Sequence, residues 1–205
     1  MKYIFMDTIV PCSALIPIVA AIARHRHLNT KCWFIFLYLC YATILNIVSS
    51  RLADKGLNNM PVLHADTIIE MLLFSVFFIH AFQSRQIKIF IRVLVVLFPL
   101  FCIINFKFFQ SIYQFNTYTR PVAAIIFIIL SQLYWWKSGK REDDERQWRD
   151  ISENWFVSAI LLYFSSAITF IRGSDSQLLL QVGYFKGLLS FSLLISNYGL
   201  PPKVQ

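Results

Sequence analysis

Seven long apolar segments constrain the fold of this chain more than any other feature. A helix needs about 20 residues to cross the roughly 30 Å hydrocarbon core of a bilayer. Segments of about this length lie at residues 3–23, 32–50, 62–82, 87–106, 121–136, 155–171 and 178–198. A lipid-exposed backbone must satisfy its own hydrogen bonds, and the alternating pattern of a β-barrel is absent, so we expect helices. The predicted fold is an all-α transmembrane bundle of about seven helices, a single domain over residues 1–205 with no soluble domain.

The composition supports this interpretation and excludes other classes of protein. Of the residues, 57% are apolar and 15% are charged, against about 45–50% and about 25% in soluble domains. The net charge is +8, but the basic residues lie at the ends of apolar segments, so we expect no nucleic-acid partner. The four cysteines form no CxxC pair and no Cys/His cluster, and catalytic motifs such as G-x-S-x-G are missing. We therefore predict no metal, no cofactor and no identifiable catalytic residue.

The basic residues also predict the orientation of the bundle. With the N-terminus outside, twelve of the 19 Lys and Arg residues face the cytoplasm, six face outward, and Lys186 lies within the last segment. Cytoplasmic loops of membrane proteins carry an excess of Lys and Arg. We therefore expect an external N-terminus and a cytoplasmic C-terminus.

Ionisable residues within the apolar segments are candidates for a functional site, because burying them in a bilayer is costly. The third segment carries Asp66 and Glu70 one helical turn apart on one face, whereas His64 points nearly opposite to Asp66. The third and seventh segments both begin at the outer surface, which places Glu70 and Lys186 at a similar depth of about 12 Å. We expect Lys186 to neutralise Glu70, Asp66 or both.

Further polar residues gather in the same outer half of the predicted bundle. Arg120 opens the fifth segment, and the supporting members are Asn46, Asn105, Arg172 and Gln181. This asymmetry predicts a polar pocket open to the outside. The alternative is a set of interhelical hydrogen bonds that only hold the bundle together. The spacing of Gly183 and Gly187 predicts a helix face that packs against a neighbouring helix. The more specific interpretation is that this neighbour belongs to a second copy of the chain in a homo-oligomer.

Three short motifs give the chain a family resemblance. They are GLNNMPVLHADTIIE at 56–70, FNTYTR at 115–120 and WFVSAILLYFSS at 155–166. They resemble motifs of a family of small seven-helix bacterial inner-membrane proteins, with H-x-x-T-x-x-E in helix three, FxSYTR before helix five and an LIYFSG-like helix six. The matching residues are His64, Thr67, Glu70, Tyr118, Thr119, Arg120, Tyr163, Phe164 and Ser165. The resemblance implies a multi-pass protein of the bacterial inner membrane and favours Glu70 and Arg120 as site residues, but it implies no activity.

Three functions fit this sequence. The first, which we favour, is a sensor or accessory protein whose outer pocket binds a ligand and which acts through a cytoplasmic or membrane protein partner. The second is a small oligomeric channel or an ion- or proton-coupled transporter, with the buried charges as a relay. The third is an intramembrane lipid-acting enzyme that uses His64 with Asp66, or Asp66 with Glu70, as acid and base.

Overall fold

The described part of the chain is helical throughout. The computed structural model describes residues 30–114, 116–138 and 152–170, together with Val19 and Ile22. These residues form five helices: α1 (Thr30–Asp54), α2 (Met60–Ala81), α3 (Arg85–Phe108), α4 (Thr119–Ser138) and α5 (Ser152–Phe170). They correspond to the second to sixth predicted segments, with bounds that agree within four residues, and the all-α prediction is confirmed for this part. The seventh segment, and the first apart from Val19 and Ile22, lie outside the described residues.

Helices α1 to α4 are long and apolar enough to cross a membrane, which indicates a multi-pass membrane protein. The fifth predicted segment was the shortest, and the corresponding helix α4 reaches 20 residues. Helix α3 exposes much of its apolar surface, with Val96 69% and Ile103 60% exposed. Lipid chains suit such a surface, because water would leave it unfavourably hydrated.

The chain divides into two compact units. One runs from Phe34 to Ile126 and holds most of α1, all of α2 and α3, and the first part of α4. The other combines residues 1–33 with residues 127–205, so its best described part is the remainder of α4 together with α5.

Aromatic side chains build the core of the unit from Phe34 to Ile126. Phe74, Phe77 and Phe78 of α2 are fully buried. Helix α2 packs against α3, and a connection of only three residues makes the two helices antiparallel neighbours. The ring of Tyr38 meets that of Phe74 with centroids 4.5 Å apart, which brings α1 onto the same core.

In the other unit, aromatic and polar side chains join α4 to α5. The rings of Phe127 and Phe164 stack with centroids 4.8 Å apart. The Tyr134 hydroxyl donates to Asn154 Oδ1 over 3.0 Å, and both side chains are buried. Such a hydrogen bond joins helices where apolar packing alone gives little specificity.

Helix α1 ends in a turn that favours glycine. The backbone N–H of Gly56 donates to the Ala53 carbonyl, and that of Leu57 to the Leu52 carbonyl, each over 2.9 Å. This pair of bonds forms a Schellman motif, which satisfies carbonyl groups at the helix end. Gly56 has a φ of +67°, in the left-handed region that side chains disfavour. Helix α2 then starts with Pro61 in its first turn, where a missing N–H removes no helical hydrogen bond.

We expect Gly56→Ala to lower the free energy of unfolding by about 1 kcal/mol. A Cβ atom at this position would meet nothing within 4 Å, so the cost comes from the backbone conformation alone. Asparagine tolerates the left-handed region better than alanine, so Gly56→Asn should cost less. Denaturant unfolding of the three proteins in one detergent measures this, and an alanine variant as stable as wild type would contradict it.

Candidate functional site

Two tyrosines of α1 face the two carboxylates of α2. The Tyr38 hydroxyl donates to Glu70 Oε1 over 3.0 Å. Tyr41 lies one turn later on α1, with its hydroxyl close to Asp66 and within electrostatic range of Glu70. Residues three or four apart lie on the same face of a helix. One turn forward along α1, from Tyr38 to Tyr41, therefore corresponds to one turn back along α2, from Glu70 to Asp66. The structure thus brings Asp66 and Glu70 toward the same partner helix.

Arg120, at the start of α4, supplies a positive charge beside these carboxylates. Its Nη1 lies 3.9 Å from Asp66 Oδ2, and both side chains are 13% exposed. Arg120 also acts electrostatically on Glu70. Arg120 is thus a partner of Asp66. Lys186, the partner predicted from the sequence, lies outside the described residues, so that prediction stays a prediction. We call Tyr38, Tyr41, Asp66, Glu70 and Arg120 the polar cluster; all five belong to the unit from Phe34 to Ile126.

Asn116, in the loop before α4, binds the backbone at the start of this helix, next to Arg120. Its Oδ1 accepts hydrogen bonds from the backbone N–H groups of Thr119, over 3.1 Å, and Arg120, over 3.3 Å. It also accepts from the Thr119 hydroxyl. The first N–H groups of a helix lack helical acceptors, so this side chain caps α4. Its Nδ2 donates to Thr67 Oγ1 over 3.2 Å, which ties the start of α4 to α2 beside Asp66.

His64 attaches the loop between α3 and α4 to α2. Its Nε2 lies 2.8 Å from the backbone carbonyl oxygen of Gln114. A carbonyl only accepts, so Nε2 carries the proton in this bond. Asn58 adds a second attachment by donating to the Tyr113 carbonyl over 2.9 Å. His64 and the carboxylates therefore have different partners, which gives no support to an acid–base pair of His64 with Asp66.

Several buried polar atoms have no hydrogen-bond partner in the part of the chain that the structure describes. They are Glu70 Oε2, the Tyr41 hydroxyl, His64 Nδ1, Ser75 Oγ and Ser131 Oγ. Leaving such an atom unsatisfied costs about 1–3 kcal/mol, and more for a charged group. Two of these atoms, on Glu70 and Tyr41, belong to the polar cluster. The cluster is therefore where a bound group would relieve the largest cost.

The remaining predicted site residues fall into two groups. Asn105 is buried at the end of α3 and donates to Gln110 Oε1 over 3.5 Å, whereas Asn46 is half-buried on α1. Thr67 is buried between the Leu63 carbonyl and Asn116. Outside the described residues lie Arg172, Gln181, Lys186, Gly183 and Gly187. Within the described ranges, no three His, Cys, Asp or Glu side chains group closely enough to hold a metal ion.

Sequence reasoning missed three residues of this site. Tyr38 and Tyr41 have the spacing of one helical turn inside an apolar segment, which indicates a polar stripe on one face of α1. Asn116 stands just before a predicted helix, where asparagine typically accepts hydrogen bonds from the first backbone N–H groups. The sequence contains these patterns, so the polar face of α1 and the helix cap could have been predicted. Only the fold shows which helix each residue contacts.

Comparison of the chain with known protein families, with characterised proteins and with solved structures found no match. The geometry of the polar cluster is therefore the observation that bears on function.

Proposed function

We propose that the chain is an integral membrane sensor or accessory protein whose polar cluster binds a small polar ligand. Glu70 carries this proposal. Its side chain is 2% exposed, one carboxylate oxygen accepts from Tyr38, and the other has no partner among the described residues. A carboxylate within a membrane-spanning helix is costly unless another group binds it. A ligand that binds Glu70 Oε2 would remove that cost.

The position of the cluster supports entry of the ligand from one membrane face. Glu70 lies ten residues after the start of α2, which is about 15 Å along the helix axis. The loop between α3 and α4 and the turn at 55–59 lie at this same end. The distribution of basic residues favours this end as the outer one. A seven-helix bundle in the bacterial inner membrane, with an external N-terminus and a cytoplasmic C-terminus, is part of this proposal.

A protein partner would receive the signal. Ligand binding would displace α1, α2 and α4 together, because each of these helices contributes at least one side chain to the polar cluster. Helices that cross a membrane carry such a change to the opposite face. We propose that the cytoplasmic connections contact a cytoplasmic or membrane partner, and that Gly183 and Gly187 support a homo-oligomer.

Ligand binding is testable with the purified full chain in nanodiscs. The probes are methylammonium, acetate and acetamide, which represent a cation, an anion and a neutral polar group. A ligand at 100 times its Kd stabilises a protein by about 2.7 kcal/mol. We expect at least one probe to raise the midpoint of thermal unfolding of the wild type, and the effect to disappear in Glu70→Gln. Asp54→Asn, which removes an exposed carboxylate at the end of α1, is the matched control and should respond like wild type.

Two results would contradict the proposal: no response of the wild type to any probe, or an equal response of Glu70→Gln.

The second candidate, a proton- or ion-coupled transporter, is favoured by the same buried Glu70, because protonatable carboxylates inside membranes commonly serve as relays. Proton flux into proteoliposomes that Glu70→Gln abolishes would favour this candidate over the sensor.

A further inference from the structure

We propose that helix α3 binds one anionic phospholipid. Arg85, Lys88 and Arg92 hold its headgroup phosphate, and an acyl chain lies along the exposed apolar side chains that follow them on the same helix. This lipid site is separate from the polar cluster, so it is a second binding function beyond the proposed sensor.

The three basic residues share one face of α3, close to its start. Their spacing of three and four residues places Arg85, Lys88 and Arg92 on the same side of a helix. Arg85 and Arg92 are exposed, and Lys88 is half-buried. The buried side chains of α3, among them Ile91 and Phe98, lie on a different side. The basic face is therefore open to a partner from outside the core.

The unit that contains α3 has no carboxylate at the end where this helix starts. Its three acidic residues are Asp54, Asp66 and Glu70. The first ends α1, and the other two lie in the first half of α2, whereas α3 starts just after the end of α2. The chain carries no Asp or Glu from residue 71 to residue 141. A partner with a negative charge complements this face, and clustered Lys and Arg next to a membrane attract anionic lipid headgroups.

The length of α3 places one of these charges within the hydrocarbon core. From Arg85 to Lys107 the helix rises about 33 Å, close to the roughly 30 Å thickness of that core. Lys107 Nζ lies 5.5 Å from the centroid of the Phe108 ring, near the end of α3. Arg92 then lies about 10 Å along the axis from Arg85 toward the membrane centre. A charge at that depth is costly, and a headgroup phosphate, which accepts two parallel hydrogen bonds from a guanidinium, compensates it.

The apolar part of the same face suits an acyl chain. Val96, Leu100 and Ile103 follow Arg92 at spacings of four, four and three residues, and all three are exposed. A lipid whose phosphate binds Arg92 can lay one chain along this stripe. A soluble anion would contact only the basic residues, so the combination of the two parts favours a phospholipid.

Native mass spectrometry of the full chain in detergent micelles tests this site. Titration with phosphatidylglycerol, or with phosphatidylcholine of the same acyl chains, gives the dissociation constant of the first lipid bound. We expect wild type to bind phosphatidylglycerol at least tenfold more tightly than phosphatidylcholine. Arg85→Gln with Arg92→Gln should weaken phosphatidylglycerol binding about 30-fold, because each basic residue near an anionic lipid contributes about fivefold. Arg51→Gln with Lys55→Gln removes two exposed basic residues before α2 and is the matched control, which should bind like wild type.

Glu70→Gln should also bind phosphatidylglycerol like wild type, since the polar cluster is a separate site. Equal binding of the two lipids by wild type, or an equal loss in the two double variants, would overturn the lipid site. Glycerol phosphate that binds as tightly as the lipid would overturn it too, because the apolar stripe would then contribute nothing. A dimer that Leu100→Arg dissociates would show instead that a second copy covers this face. In micelles without anionic lipid, Arg92→Gln should keep wild-type stability, because the phosphate partner is missing there.

Discussion

Replacing Arg120 with glutamine is expected to lower the free energy of unfolding by about 2–4 kcal/mol. Removing one partner of a buried ion pair leaves the other charge uncompensated, which typically costs about 3–5 kcal/mol. We place the effect toward the lower end because the pair is separated by 3.9 Å and each side chain is 13% exposed. Part of the loss comes from Glu70, which also loses the influence of the guanidinium charge. Denaturant unfolding in mixed micelles measures the change.

The double variant Asp66→Asn with Arg120→Gln separates the ion pair from simple loss of contacts. With both charges gone, no uncompensated ion remains at this pair, so the double variant should be more stable than Arg120→Gln alone. Arg92→Gln removes an exposed charge from α3 and is the matched control, with an expected change within about 0.5 kcal/mol. If Arg120→Gln were as stable as Arg92→Gln, the pair would contribute nothing to stability.

The helical fold was predictable because the thickness of a bilayer sets the length of its helices. A run of about 20 apolar residues has few other stable solutions in lipid. The helix ends were harder to predict, since they depend on local hydrogen bonds. Helix α1 continues to Asp54, four residues beyond its apolar run, because the turn at Gly56 satisfies its last carbonyl groups. Helix α2 likewise starts at Met60, where Pro61 fits the first turn.

The site was predictable only where its residues share one helix. The spacing of Asp66 and Glu70 places them on one face from 100° per residue alone. The pairing of Asp66 with Arg120 joins residues on different helices, and periodicity within a segment contains no information about which helices are neighbours. The hydrogen bond from His64 to the Gln114 carbonyl could not be predicted either. Every residue has a backbone carbonyl, so the residue type at position 114 does not indicate this acceptor. Depth along a helix places Glu70 and Lys186 at a similar level in the prediction, but it does not indicate that Arg120, at the start of another helix, lies beside Asp66.

Replacing Asn116 with alanine is expected to lower the free energy of unfolding by about 2–4 kcal/mol. The variant loses the cap on α4 and the link to Thr67. A helix cap contributes about 1 kcal/mol. The Thr119 hydroxyl, buried with its residue at 0% exposure, would lose the acceptor that the structure shows for it, at about 1–3 kcal/mol more. Asn116→Ser keeps a capping oxygen but not the donor to Thr67, so it should recover about half of the loss.

The control for this change is Gln114→Ala in the same loop. The Gln114 side chain is exposed, and its bond to His64 uses the backbone carbonyl, so alanine should keep stability within about 0.5 kcal/mol. Equal stability of the Asn116→Ala and Gln114→Ala variants would show that the cap contributes nothing. If Asn116 acts by positioning Arg120, its loss should also cost less once Arg120→Gln has removed the guanidinium. Additive effects of the two changes would restrict Asn116 to capping α4 and linking it to α2.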